Sequence, residues 1–487
     1  MPASANFAPH SARGLDLHIV GRTGSAGIQA PDLDHAPLRL GGLVRTIADF
    51  TEDPEFKRSE GASTQPARYL RDNATQTLYR CKLNENRPRN TFSDVVMPQM
   101  MVHAYGFDDV PQPVFLVDND NRLGKGSDAV WVASPMVSGF KDWGPFLVES
   151  GARHVEPHNR DAYAAHLRDH ADASRSAQEL RKTPDIAGLM TRFPKGGFDK
   201  LDQSGHETLQ PLRDRSRDAL QRQDRMLELL PDEFNRALAS AFYLGEVPGN
   251  WDLANHERAN TGFVIDDEGV HAPTVDWGNT APVAGFGGNL KRDSQRAANQ
   301  PARVDEPYAR VPDALTPSGY MQDFLRDDDL KYENPSKTFG AIGGIPRAAV
   351  LGGLQRPVIE SEREFEPASR TRHDAPDAAL AVAWQLSRAP GTRVERVVEQ
   401  IFALATGENL PASVTQLFSE KTTGYANAGA FAKAQNDRTK ALIARAKEGR
   451  QLERWVEKNP ERAAEISQRV ARALRGEPKD PRDALRA

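Results

Sequence analysis

The sequence predicts an α+β chain, with a small β-rich N-terminal part and a larger helical C-terminal part. Three observations predict this. Short β-prone runs separated by turn residues crowd into residues 38–135. Helical periodicity begins near residue 151 and returns from about 373 to the end. Between them, a strand–turn–strand unit over 260–276 ends on polar residues in both arms.

The first strands are 67–71 and 75–82, two β-prone runs around Asp72-Asn73, which reads as a hairpin turn. Residues 91–105 predict a helix with Val95, Val96, Met100, Met101 and Tyr105 near one face. Pro98 suits only a first turn, so the helix proper is expected to start there. Residues 114–117 and 130–133 form a second strand pair around the polar loop 118–126. Helices follow over 161–179, 209–230 and 233–244, the last with Phe234, Leu238, Ala241 and Phe242 at helical spacing. Residues 284–365 are rich in Gly, Pro and Asp and weakly periodic. Helices are expected again over 394–405, 437–456 and 460–474.

Composition bounds what such a chain can be. Its 487 residues suffice for two or three domains, or one large domain with additions. Hydrophobic residues make up 38% and aromatics 7%, which supports a folded core diluted by polar segments. With 63 basic and 68 acidic residues the net charge is −5, so the basic excess of a nucleic-acid binder is missing. The one cysteine, Cys81, permits no internal disulfide and fits folding in a reducing cytoplasm. No apolar stretch reaches membrane-spanning length. Residues 1–37, rich in Ala, Ser, Pro, Gly and His, read as a disordered tail. Export signals of bacterial type III effectors share that composition, which leaves secretion into a host cell open.

The chemistry concentrates in one segment. A helix leads into Gly249-Asn250-Trp251-Asp252. The loop continues to Asn260, at the mouth of a strand. A turn at 266–269 returns the chain along a second strand to Asp276-Trp277-Gly278. Hairpin pairing would bring Asn260 and Asp276 together, although they lie sixteen residues apart. Phosphoryl transfer calls for such a set, because its catalysis is mostly positioning and charge neutralisation. Magnesium takes oxygen ligands and is held by one or two protein groups plus phosphate oxygens and water. Asn260 and Asp276 are the candidate metal ligands, with Asn255 as a rival to Asn260. Asp252 is the candidate catalytic residue that would orient an acceptor hydroxyl. Gly278 would let the backbone turn away from the metal. Upstream, the small and hydroxyl residues Gly61, Ala62, Ser63 and Thr64 can offer backbone N–H groups to phosphate, and Lys82 ends the next strand. No Walker A sequence or Gly-x-Gly-x-x-Gly helix start is present.

These residues, in this order, resemble the atypical kinases that include the HipA-type kinases, the phosphatidylinositol 3- and 4-kinases and actin-fragmin kinase. The matches are Gly61–Thr64, Lys82, Trp131-Val132-Ala133-Ser134-Pro135-Met136, Gly249–Asp252 with Asn260, and Asp276–Gly278. The resemblance implies a two-lobed protein-kinase-like fold with an N-lobe over 38–140 and a C-lobe over 141–456. An insertion at about 284–365 and a C-terminal helix and tail over 457–487 complete it. It implies ATP between the lobes, with adenine held by hinge backbone around Ser134 and Met136. It also implies Mg2+ on Asn260 and Asp276, and transfer of the γ-phosphate to a hydroxyl of a protein. Leu442-Ile443-Ala444-Arg445-Ala446 resembles the last C-lobe helix of that group. Lys82 should have an acidic partner on the N-lobe helix, yet 95–105 holds no Asp or Glu. Asp94 is nearest, then Gln99, and the partner stays open. A pseudokinase scaffold, a lipid kinase and an AMP transferase are the alternatives on the same scaffold.

Overall fold

The computed structural model describes residues 42–53, 67–84, 87–192, 202–248, 260–267, 269–278, 371–405, 410–447 and 450–477. They belong to one compact unit, Asp32–Ala487. The expected tail at 1–37 and insertion at 284–365 lie outside the described residues.

The N-terminal lobe is a six-stranded sheet in the order β1-β5-β6-β4-β3-β2. Its strands are β1 (Val44–Thr46), β2 (Phe50–Glu52), β3 (Ala67–Asp72), β4 (Leu78–Lys82), β5 (Val114–Val117) and β6 (Val130–Pro135). The two expected strand pairs are present, and β4 and β6 join them edge to edge. The Asp72 carboxylate builds the β3–β4 turn, accepting from the N–H groups of Ala74 (2.8 Å) and Thr75 (3.0 Å). Alternation gives the sheet two faces. Cys81, Leu116, Trp131 and Ala133 point to an outer cluster with Ile47, Phe50 and Leu70. Phe115 and Val132 point the other way, into the main core.

The helix α1 (Pro88–His103) covers that inner face. Its start corrects the sequence-based expectation. Pro88 sits at the first helical position, where a missing N–H costs nothing, and Pro98 lies inside. Thirteen of its sixteen residues are buried, polar ones included. A helix enclosed on all sides carries no apolar stripe, so periodicity could not mark its ends.

The larger lobe is helical. It holds α2 (Trp143–Glu149), α3 (Arg160–Lys182), α4 (Pro184–Arg192), α5 (Gln203–Glu228) and α6 (Asp232–Glu246). After the hairpin described below come α7 (Thr371–Arg388), α8 (Gly391–Ala405), α9 (Ala412–Leu417) and α10 (Glu420–Thr423). The chain ends in α11 (Ala428–Lys447), α12 (Gln451–Lys458) and α13 (Pro460–Arg475). The helix expected over 437–456 is therefore two, and Arg450 at its break has a left-handed φ of 61°. The 442–446 segment lies in α11. No described helix is long and apolar enough to cross a membrane. The architecture is α+β and two-lobed, a six-stranded N-terminal sheet beside a helical C-terminal lobe.

Candidate active site

The hairpin that carries the polar motif is docked before it reaches the site. β8 (Gly262–Asp266) pairs with β7 (Lys141–Asp142) on one side and β9 (Gly269–His271) on the other. Gly262 is dictated by close approach: a β-carbon there would stand 2.1 Å from the Lys141 carbonyl oxygen. Phe263 packs against Phe146 of α2 and Phe234 of α6, with ring centroids 4.9 and 5.3 Å away. The register set by β8 and β9 continues past the strand ends. Thr261 bridges Thr274, and the Val275 N–H donates to the Asn260 carbonyl at 3.0 Å. Asn260 thus stands opposite the residue before Asp276. Trp277 anchors the end of the hairpin in the core, its indole N–H donating to the Thr274 carbonyl at 3.0 Å.

At that point the two lobes meet on one side chain. The Lys82 ammonium donates to Asp94 Oδ1 at 2.9 Å and to Asp276 Oδ1 at 3.1 Å, and its distance to Asp94 Oδ2 is also 2.9 Å. Lys82 closes β4, Asp94 lies on α1, and Asp276 ends the hairpin, 194 residues from the lysine. Asp94 is the acidic partner that the sequence left open. Once α1 is seen to start at Pro88, Asp94 falls well inside the helix. Its two oxygens are fully engaged. Oδ1 also accepts from the Trp277 N–H at 3.2 Å, and Oδ2 from Asn84 Nδ2 at 2.9 Å. Asn84 went unnoticed in the sequence, yet it stands two residues after Lys82, the spacing that shares a face in extended chain.

Burial and charge divide the roles of the two carboxylates. Burial pushes the Asp94 carboxyl up to about 6, although Lys82 pulls against it. Burial would also raise Asp276, but Lys82 and the Gly278 N–H, which donates to Oδ1 at 3.1 Å, outweigh it. They hold Asp276 below the usual carboxylate range. Burial likewise works against the Lys82 ammonium, and Asp276 and Asp94 more than reverse it, so its pKa is raised. The Asp94 side chain is 3% exposed and that of Asp276 28%. Asp276 is the ionised oxygen donor a ligand can reach, and Asp94 is the fixed internal partner.

Gly278 is also required by close approach. A β-carbon there would crowd the Asp94 carboxylate, at 3.0 Å from Oδ2. Among the described residues, no three His, Cys, Asp or Glu side chains gather into a metal-binding group. A magnesium ion shared with phosphates asks for less, one or two oxygen donors, and an ionised Asp276 beside Asn260 fits that demand.

The β4–β6 register orients the hinge strand. Arg80 lies opposite Ser134 and Lys82 opposite Val132, so the Ser134 side chain shares the Lys82 face and, by alternation, Met136 does too. The Met136 N–H donates to the Leu78 carbonyl at 2.8 Å. Hydrogen-bonded pairs alternate, so Ser134 also turns its backbone groups toward β4. By the same alternation the Pro135 carbonyl turns away from β4, beyond the end of β5, which begins at Val114 opposite Ala133. Asp252 and the 61–64 loop lie outside the described residues.

No protein-family model matches the chain, and no curated protein matches it in sequence. Among solved structures it is similar to a crystal structure described as that of a Helicobacter pylori proinflammatory kinase, CtkA. The identity is 12% and the TM-score 0.37, over 83% of this chain and 99% of that one. So weak a likeness carries no argument about activity.

Proposed function

We propose that the chain is a kinase that binds ATP with Mg2+ in the cleft and transfers the γ-phosphate to a hydroxyl group of a protein. The observation that carries this reading is the Lys82 ammonium held between a buried helix carboxylate, Asp94, and a half-open loop carboxylate, Asp276. A lysine fixed in this way is placed to hold phosphate oxygens without having to be ordered at the moment of reaction. Asp276 and Asn260 would hold the metal, which supplies neutralisation of phosphate charge when bound. The Pro135 carbonyl offers an acceptor to the edge of a base, while Ser134 and Met136 face it with their side chains. Gly61, Ala62, Ser63 and Thr64 would cover the phosphates, and Asp252 would orient the acceptor hydroxyl and take its proton.

The test is incubation of the full chain with γ-labelled ATP and magnesium, alone and with a cell lysate, for the wild type, Asp252→Ala and Asp276→Ala. The reading expects label on the chain or on a lysate protein. It expects a loss of roughly a hundredfold or more in both variants. Equal labelling by all three proteins would remove the site assignment, and ATP binding without transfer would leave a non-enzymatic scaffold.

A further inference from the structure

The charges of the cleft do not balance for a polyphosphate ligand. One ammonium, Lys82, faces two carboxylates, Asp94 and Asp276. With Asp94 ionised the cluster carries an excess negative charge. A magnesium-bound triphosphate is itself an anion, and a second cation beside Lys82 would favour its phosphates. Along β4 the side chains alternate. Tyr79, Cys81 and Leu83 pack in or against the outer cluster, which turns Arg80 to the face of Lys82 and of the Asp94-bound Asn84. Arg80 stands opposite Ser134 of the hinge strand, one same-face pair along from Lys82. It is half-buried. Its charge is felt at both Lys82 and Asp276, where it disfavours the ammonium and favours the carboxylate.

From this geometry we infer that Arg80 is a second phosphate-binding cation, forming with Lys82 a two-residue clamp for the polyphosphate of the nucleotide. The inference rests on the reading of the cleft as a nucleotide site. A guanidinium suits the task because its forked donors match phosphate oxygens and its charge does not titrate near neutrality. The base and sugar gain nothing from it.

The experiment measures equilibrium binding of Mg–ATP, adenosine and Mg–tripolyphosphate to the full chain, for the wild type, Arg80→Gln and Arg80→Lys. Thermal melts confirm that each is folded. Arg80→Gln is expected to weaken Mg–ATP and Mg–tripolyphosphate by about tenfold or more and adenosine by less than about twofold. Arg80→Lys should restore part of the loss, because it keeps the charge but not the fork. A merely structural arginine would not separate the two kinds of ligand. Mg–ATP binding unchanged in Arg80→Gln, or adenosine weakened as much as Mg–ATP, would overturn the inference. Should the wild type bind Mg–tripolyphosphate through Arg80 but no ATP, the clamp would stand and the nucleotide reading would fall. Wild-type protein that binds neither would remove both.

Discussion

Gly278 passes so close to Asp94 that a β-carbon built on it would lie 3.0 Å from Oδ2 and 3.2 Å from the carboxyl carbon. The contact joins the Asp276–Gly278 segment to α1, beside the Trp277 N–H that donates to the same carboxylate. In Gly278→Ala the carboxylate must yield by a few tenths of an ångström, and Lys82 must follow it. We expect a folded protein that loses about 1 kcal/mol, a shift of a few degrees in Tm for a chain of this size. Mg–ATP affinity should drop by about tenfold, more than the melt alone implies. Unaltered affinity at a lowered Tm would show that the Asp94 contact is only packing.

Lys82 is 9% exposed in its side chain and holds two carboxylates, so its loss strands charge. Lys82→Met leaves the buried Asp94 carboxyl without its cation, so that it must hold an unpaired charge or be driven to take up a proton, a loss that typically costs about 3–5 kcal/mol. Adding Asp94→Asn removes that charge and should recover half of the loss or more. Denaturant unfolding of the two single variants and the double variant measures the coupling. Strict additivity would mean that the pair does not organise the cleft.

How much of this was legible in sequence depends on distance along the chain and on pattern. The order lysine, then Asn260, then Asp276 could be read because each residue ends or opens a recognisable strand. The hairpin between 260 and 276 then fixed its register by local pairing. Asp94 was harder. Its helix is enclosed on every side, so its apolar residues form no stripe, and Pro98 offered a false start where Pro88 is the real one. Nothing local pairs residue 82 with residue 94 until that start is known. Asn84 and Arg80 were visible in principle as the same-face neighbours of Lys82 at two-residue spacing, but polar residues near a strand end ordinarily face solvent. The β1 and β2 strands, three residues each, are too short for alternation to declare them. The break between α11 and α12 was announced by Gly449, a helix-stop residue just past Lys447, but the helical periodicity on both sides of it outweighed that signal in the sequence.

Acidity should weaken the fold through His103, the last residue of α1. Burial pushes its imidazole down to about 4, against a hydrogen-bonded contact with Gln112 Oε1 at 3.0 Å that favours the charged form. The folded pKa therefore lies below the unfolded value near 6.5, so between the two the unfolded chain binds more protons. The contribution is complete above pH 6.5 and is lost as pH falls toward 4. The half-buried position reduces it to on the order of 1 kcal/mol between pH 7 and pH 5. Denaturation midpoints across that range should fall for the wild type and flatten for His103→Gln. A parallel decline in both proteins would assign the acid sensitivity to other groups.

The C-terminal helices brace the helix that carries Asp94. The ring of Phe92, two residues before Asp94, packs edge-on against Phe418 and Phe431 at 5.1 and 5.7 Å. At the other end, the buried Arg393 donates through Nε to the His103 carbonyl at 2.7 Å and through Nη2 to the Leu474 carbonyl at 2.6 Å. Gln385 donates to the Gly106 carbonyl at 3.0 Å, and Gly106 packs so tightly on Val470 that a β-carbon would stand 3.1 Å from its side chain. The helix α1 is thus clasped between the sheet and α8, α9, α10, α11 and α13, and that layer holds the backbone that carries Asp94. Arg393→Gln shortens the donor and strands a buried carbonyl, at a cost of about 1–3 kcal/mol. Phe418→Ala removes part of the aromatic nest, at about 3–5 kcal/mol. Both should raise amide hydrogen exchange selectively in residues 90–103 relative to α3 and α5, which touch neither side chain. Exchange in α1 that stayed at the wild-type rate in both variants would show that the sheet alone holds Asp94 in place.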